Sequence, residues 1–481
     1  MRRWGGHIIC VLLLVSLAQA ANPFDLRRYL KKILENQLST AVSKNVSIGE
    51  LRGNVYNRLI ISDVEISEAD GQNTVLIGRA EVNYSLKNII LQRFDILSNI
   101  HSITVSDAYL LVKRDAAGRW NYALPSTDQT SKPVNPKKSS PRMQIHIANA
   151  GARYIDERGW GKQRLAKRYD QRFHNLNGTV SIDGEDILFT ASGVVTPGAT
   201  LTLNGRYNKG YSVNIAARRV NLAEHGYYAL SFSDYTLPSG WADINIRVAA
   251  AENSAPALEA SAQISGVEFQ PGDYLTEPLR NISGGLRWSA NRLYLDNLHA
   301  ALLDTALTLN GSLLLGKTPE LNVQAGLQDF DFQKKYSQYF YFPELTGRGA
   351  LSLALTGPLA QPSGRGSLRL ADCRYGLVDL GPVEAEIDLR SGQGELFFRL
   401  PERLTGSLVF QGDWQNLNSA ISLNAAGLQV AALAQKDASQ NITAQITSAQ
   451  LDFATNNLLQ TYFPGSAGQI ELNGAVLWQG G

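Results

Sequence analysis

Ala350-Leu-Ser-Leu-Ala-Leu-Thr-Gly357 decides the reading of this chain. Leu351, Leu353 and Leu355 alternate with Ser352, Ala354 and Thr356, a period of two that gives a strand one apolar and one polar face. The same alternation surrounds it. It recurs in Thr179-Val-Ser-Ile182, Leu201-Thr-Leu-Asn-Gly205, Leu307-Thr-Leu-Asn-Gly311, Ala385-Glu-Ile-Asp-Leu389 and Ile470-Glu-Leu-Asn-Gly474. Upstream, Val64 and Ile66, Val75 and Ile77, Val82 and Tyr84, Ile103 and Val105, and Leu110 and Val112 repeat it. The expected fold class is mainly β: an elongated, curled antiparallel β-sheet groove with an N-terminal amphipathic helix and a few short helices. Strand endings in Asn-Gly or Thr-Gly, and the pairs Gly364/Gly366 and Gly392/Gly394, are expected to be turns, where glycine accepts positive φ.

The N-terminus reads differently. Arg2 and Arg3, the apolar run from His7 to Leu17 and the small-x-small triplet Ala18-Gln19-Ala20 predict an export signal over residues 1–20, cleaved after Ala20 or kept as an anchor. Residues 21–45 predict an amphipathic helix. Leu26, Leu30, Ile33, Leu34 and Leu38 fall on one face and Arg27, Arg28, Lys31 and Lys32 on the other, which suits an anionic membrane surface or the end of a sheet. A first β region spans 46–124. Residues 125–142, with four prolines in PSTDQTSKPVNPKKSSP, form the expected linker, and a repetitive β region fills 143–481.

A longer repeat crosses that last region. Leu327-Gln-Asp-Phe-Asp331 followed by Tyr341-Phe-Pro343 and Gly347 reappears as Gln450-Leu-Asp-Phe453, Tyr462-Phe-Pro464 and Gly468. Val220-Asn-Leu222, Leu237-Pro238 and Gly240 make a weaker copy. Such repeats build stacks of strands rather than globules.

Composition limits the chemistry. Lys and Arg number 45 against 43 Asp and Glu, so a net charge of +2 gives no footprint for wrapping nucleic acid. Six scattered histidines lack metal-ligand spacing, and no nucleophile elbow or phosphate-binding loop is present, so neither a catalytic site, a metal nor a cofactor is expected. Asp296, Asp304, Asp329 and Asp331 are read as solvated carboxylates on the polar side or in turns. Cys373 is the one cysteine beyond the signal and reads as a small buried apolar residue. The basic stretch Arg158–Arg172 is read as a solvated loop, with lipid head groups as the alternative contact.

The apolar strand face carries the functional argument. Burying one Leu or Ile is worth roughly 1.5–3 kcal/mol, so dozens on one face need a cover. At about 4.8 Å per strand, some 25 to 30 strands in one sheet would extend on the order of 120–140 Å and coil with their twist. Such a trough suits acyl chains; a closed dry core is the competing reading. The groove-lining candidates are Val180, Ile182, Leu201, Leu203, Leu307, Leu309, Leu351, Leu353, Leu355, Leu368, Leu370, Ile387, Leu389, Ile470 and Leu472.

Several stretches in order resemble the AsmA-like superfamily, and within it the TamB-like proteins. They are Ile48-Gly-Glu-Leu-Arg-Gly53, Leu59-Ile-Ile-Ser-Asp-Val64, Val82-Asn-Tyr-Ser-Leu86, Lys113-Arg-Asp115 with Gly118-Arg-Trp-Asn121, Ile145-His-Ile-Ala-Asn-Ala150, Tyr154-Ile-Asp156 and Phe173-His-Asn-Leu-Asn-Gly178. The resemblance implies a periplasmic β-groove held at the inner membrane, with phospholipid acyl chains as cargo and roles in phospholipid transport and outer-membrane assembly. It implies an outer-membrane protein partner as well, although the distinctive C-terminal domain of TamB-like proteins is not seen in this sequence. The competing expectation is a scaffold whose sheet edges pair with strands of client outer-membrane proteins.

Overall fold

The computed structural model describes residues 23–478, apart from 89–98, 122–141, 160–166, 231–234, 271–276, 332–344, 401–403, 413–416, 437–441 and shorter gaps. The expected signal, nearly all of the proline-rich linker, part of the Arg158–Arg172 stretch and the repeat copies at Tyr341–Pro343 and Tyr462–Phe463 lie outside the described residues. Two helices and 24 strands are named in chain order among those described. The chain divides into two compact units, Met1–Ala262 and Gln263–Gly481. The strand β11 (Ala257–Gln270) runs through the division.

The first unit begins with helix α1 (Pro23–Val42). Its strands are β1 (Asn45–Asn54), β2 (Arg58–Ser67), β3 (Asn73–Tyr84), β4 (Ile100–Arg114), β5 (Arg142–Asp156), β6 (Tyr169–Asp183), β7 (Asp186–Val195), β8 (Ala199–Tyr207), β9 (Gly210–Asn221) and β10 (Thr236–Ala251). Helix α2 (Leu222–Ala229) lies between β9 and β10. Each strand pairs with the next, antiparallel throughout except for β4 and β5, which run parallel from Ser102/Gln144 to Arg114/Asp156. The linker therefore interrupts the chain without interrupting the sheet. A parallel pair needs a long crossover, and the residues between β4 and β5 provide the length.

Helix α1 covers the start of the sheet. Leu34 and Leu38 pack on Val46, Ile48 and Val64, while Glu35 accepts a hydrogen bond from the Ile48 amide at 2.8 Å and Ser39 one from the Val46 amide at 3.0 Å. Those two amides belong to the outer strand β1, so two of its backbone donors are satisfied by the helix rather than by another strand. No described helix is long and apolar enough to cross a membrane.

The second unit is a run of antiparallel strands from β12 (Leu279–Ser289) to β24 (Gln469–Trp478), each paired with its sequence neighbour. One sealed cluster stands out among its described residues. Phe330, Leu370 and Cys373 are buried together, with Leu302, Leu327, Leu351, Leu368, Leu380 and Val383 packed around them.

A shared backbone device places these core residues. Asp63, Asp107, Asn149, Asn175, Asn297, Asp329 and Asp372 all have φ between 50° and 53° inside strands, a left-handed conformation that Asp and Asn tolerate. The register slips by one residue at Asn149, Asn175, Asn297, Asp329 and Asp372, the mark of a β-bulge. Each bulge turns the next apolar residue back onto the apolar face. Ala150, Leu298, Phe330 and Cys373 follow directly and are buried, Leu176 after Asn175 is half-buried, and Val64 is buried behind Asp63 without a slip in register. Side chains of adjoining strands fix the bulges: the Asn149 amide donates to Asn177 at 3.0 Å, the Asn297 amide to Asn310 at 2.8 Å, and Asn149 Nδ2 to Asp107 at 2.6 Å. Asp329, read from sequence as a solvated carboxylate, is exposed and also forms one of these bulges.

Several expected turns are strand interiors instead. Gly205 lies within β8, Gly311 within β14 (Thr305–Leu314), Gly364 and Gly366 within β17 (Ser363–Tyr375), Gly394 within β19 (Gln393–Leu400) and Gly474 within β24. The physical reason is lateral crowding. A Cβ on Gly205 would enter the Phe189 ring, one on Gly394 the Phe410 ring, and one on Gly366 would press on Leu353 Cδ1. These glycines admit a large side chain from the neighbouring strand rather than reverse the chain.

Candidate ligand-binding face

Cross-strand register assembles the predicted residues into continuous rows. In the second unit one row runs Leu307, Leu327, Leu351, Leu368, Ala385, Phe398, Gly406, Leu423, Val430, Ala449, Leu472, each residue directly opposite the next. Two residues along the strands a parallel row runs Leu309, Ala325, Leu353, Gly366, Ile387, Leu396, Leu408, Ile421, Ala432, Ile446, Gly474. A third contains Leu355, Gly364, Leu389, Gly394 and Phe410. In the first unit, Ile103, Ile145, Val180, Phe189, Gly205, Val213 and Val248 form one row, and Val105, Ile147, Gly178, Ala191, Leu203, Ile215 and Ile246 the next. Each unit thus has a broad apolar face.

The opposite face carries paired polar residues beside a few exposed apolar ones, Leu188 in the first unit and Phe397, Val409 and Leu433 in the second. Ser352 and Ser367 share a hydrogen bond of 2.8 Å, Thr179 and Thr190 one of 2.9 Å, and Asn214 donates to Asn204 at 3.0 Å. Arg206 makes two bonds of 2.8 Å to Asp186, and Arg399 pairs with Glu384 at 3.3 Å. Such exposed pairs contribute little energy, but they fix which side faces water.

Exposure of the candidates is intermediate. Val180, Ile182, Leu201, Leu203, Leu307, Leu309, Leu351, Leu353, Leu355, Leu368, Ile387 and Leu389 are half-buried, Leu370 is sealed at 4%, and Ile470 and Leu472 on β24 are 43% and 49% exposed. Of the fifteen, only Leu370 belongs to the dry core, with Leu351 and Leu368 leaning on it. A fully closed core would have sealed most of them, since a core of native density leaves no gap wider than a water molecule. Rings laid across Gly205, Gly394 and Gly406 fill what would be gaps between neighbouring rows. Within each unit the surface so formed is apolar, and among the described residues it shows no convergent polar groups of the kind that orient a small polar ligand.

One cluster escaped the sequence reading. At the end of β5, Asp156 is fully buried and accepts hydrogen bonds from the Tyr228 hydroxyl at 2.7 Å, the Arg158 amide at 2.8 Å, the Gly159 amide at 3.1 Å and the Tyr154 hydroxyl at 3.2 Å. Burial by itself raises its pKa, but these donors outweigh burial and hold the carboxyl below its ordinary value. Arg114 stands 3.5 Å away and also lies over the Trp120 ring. Tyr169 stacks on Tyr228 with ring centres 4.1 Å apart, and its hydroxyl meets His225 Nδ1 at 2.7 Å. Burial pushes the Tyr169 and Tyr228 hydroxyls up and the His225 imidazole down, so all three are neutral near pH 7. Tyr154-Ile-Asp156 carries no periodic or motif signal of its role, because its partners come from a helix more than sixty residues later. Nothing in the cluster resembles a nucleophile–base pair, and no described group of three or more His, Cys, Asp or Glu is placed to hold a metal ion.

No protein-family model, curated protein or solved structure matches this chain.

Proposed function

We propose that this chain carries the hydrocarbon of lipids along its apolar sheet face, with polar head groups left in water, between the membranes of a bacterial envelope. The observation that carries the reading is the half-buried state of the candidate rows: Leu307, Leu309, Leu351, Leu353, Leu355 and Leu368 share rows linked through Leu327, Ala325 and glycines without being sealed. A methylene placed on such a surface gains about 0.8 kcal/mol over water and can exchange one contact for an equivalent one. The face therefore suits passive sliding of an acyl chain rather than fixed capture. Export to the periplasm, association with the inner membrane and a part in outer-membrane biogenesis belong to the same proposal, and rest on the N-terminal sequence and the ordered resemblance described above.

Lipid extraction and mass spectrometry of the purified full chain test it. Phospholipid recovered in stoichiometric amount, and displaced by added fatty acid, is the expected result. A chain that purifies free of lipid and fails to take up a photoactivatable fatty acid overturns it. Crosslinking that captures client protein strands instead of lipid favours the scaffold reading.

A further inference from the structure

Helix α2 stands over the apolar face of the first unit. It leaves β9 through Asn221, whose side chain caps it by accepting from the Ala223 amide at 3.0 Å. Gly226 lies so close to Leu237 of β10 that a Cβ would meet the Leu237 side chain at 2.9 Å. From that anchorage Tyr228 reaches Asp156 of β5 and stacks on Tyr169 of β6, and Tyr227 donates to the Arg168 carbonyl at 3.4 Å. Strands β5 and β10 are five places apart in the ladder, about 24 Å on a flat sheet. An eight-residue helix is about 12 Å long. The sheet of this unit is thus curled enough for one helix to tie β5 and β6 to β10.

The register says which face the helix covers. Ala152 lies opposite Phe173, Tyr154 opposite Gln171 and Asp156 opposite Tyr169, in step with Val180 and Ile145 beyond the bulges at Asn149 and Asn175. We infer that α2 is a strap closing one margin of the first unit's trough, so that hydrocarbon is confined to the rows beyond the bulges, with Asp156 and Tyr228 as positioning residues. This rests on the lipid reading for its ligand, but not for the strap. The Tyr228 hydroxyl is the one donor to the buried Asp156 carboxylate that comes from α2, beside Tyr154 and two backbone amides, so its loss unfastens the helix and removes one of four hydrogen bonds from a buried charge.

The experiment uses the full chain and the variants Tyr228→Phe and Tyr227→Phe, each probed in two ways. Amide hydrogen exchange over residues 222–230 reads the strap directly. Tyr228→Phe is expected to speed it at least tenfold while Tyr227→Phe leaves it within about threefold, because of these two tyrosines Tyr228 bonds to the buried carboxylate and Tyr227 makes a long bond to an exposed carbonyl. A diazirine fatty acid then maps the ligand, and labelling is expected at Val180, Leu203 and Val213 in the unsubstituted chain, spreading to Ala152 and Phe173 in Tyr228→Phe. Unchanged exchange in Tyr228→Phe overturns the strap, whatever the lipid does. Equal labelling of Ala152 and Phe173 in the unsubstituted chain overturns confinement while leaving the lipid reading intact. Absence of labelling anywhere overturns both confinement and the lipid reading, while the exchange data still judge the fastening.

Discussion

Leu353→Asp places a charge in the middle of the second unit's apolar rows. Leu353 sits between Ala325 and Gly366 and leans over the glycine, so the new carboxylate has no cationic neighbour on its own face. Because the leucine is only half-buried, its loss costs the fold roughly 1–1.5 kcal/mol, about half the value for complete burial. Passage of an acyl chain suffers more. Three or four methylenes lose contacts worth about 0.8 kcal/mol each, and the carboxylate sheds water as they pass, which costs further. A barrier higher by about 3 kcal/mol slows transfer about a hundredfold. Movement of pyrene-labelled phospholipid between donor and acceptor vesicles measures this, beside Ala354→Asp as control. Ala354 is exposed on the polar face opposite Arg365, so a carboxylate there has a partner and leaves the path clear. Transfer at the unsubstituted rate by a folded Leu353→Asp, or equal loss in both variants, refutes the reasoning.

Three further outcomes are expected. Asp372 has φ 51°, so Asp372→Ala should destabilise the second unit by about 1–2 kcal/mol in urea titration while Asp372→Gly does not; equal effects would mean that the bulge does not depend on left-handed backbone. Cys373 is 1% exposed and its thiol is pushed up by burial, so a thiol reagent should modify it far more slowly in the native chain than in denaturant, and comparable rates would contradict the sealed Phe330–Leu370–Cys373 cluster. Burial lowers the His225 pKa below 6.5, so its contribution to stability is complete above about pH 6.5 and is lost as pH falls through the lower folded value; ring-proton NMR that gives 6.5 or above sinks this expectation.

Much of the fold was legible because side-chain alternation in a strand is a local property. Leu351, Leu353 and Leu355 announce one face and Ser352 and Thr356 the other, whatever they pair with, and the rows follow once neighbouring strands adopt the only register that keeps apolar residues together. Asp329 before Phe330 was visible inside a repeat, but its role and those of Asn149, Asn175, Asn297 and Asp372 were not, since a bulge is defined by two residues facing one on another strand. Glycine misled for the same reason. Gly205 and Gly394 look like turn residues in one dimension and become floor for Phe189 and Phe410 only when the strands are side by side.

The sequence by itself determined that the chain is built of strands with one oily and one wet side. Only tertiary structure decided which apolar residues are sealed, where bulges bend the sheet, and that Tyr228 comes to Asp156 across five strand spacings. Alternation acts between residues two apart, whereas curl and fastening depend on atoms brought together from distant parts of the chain.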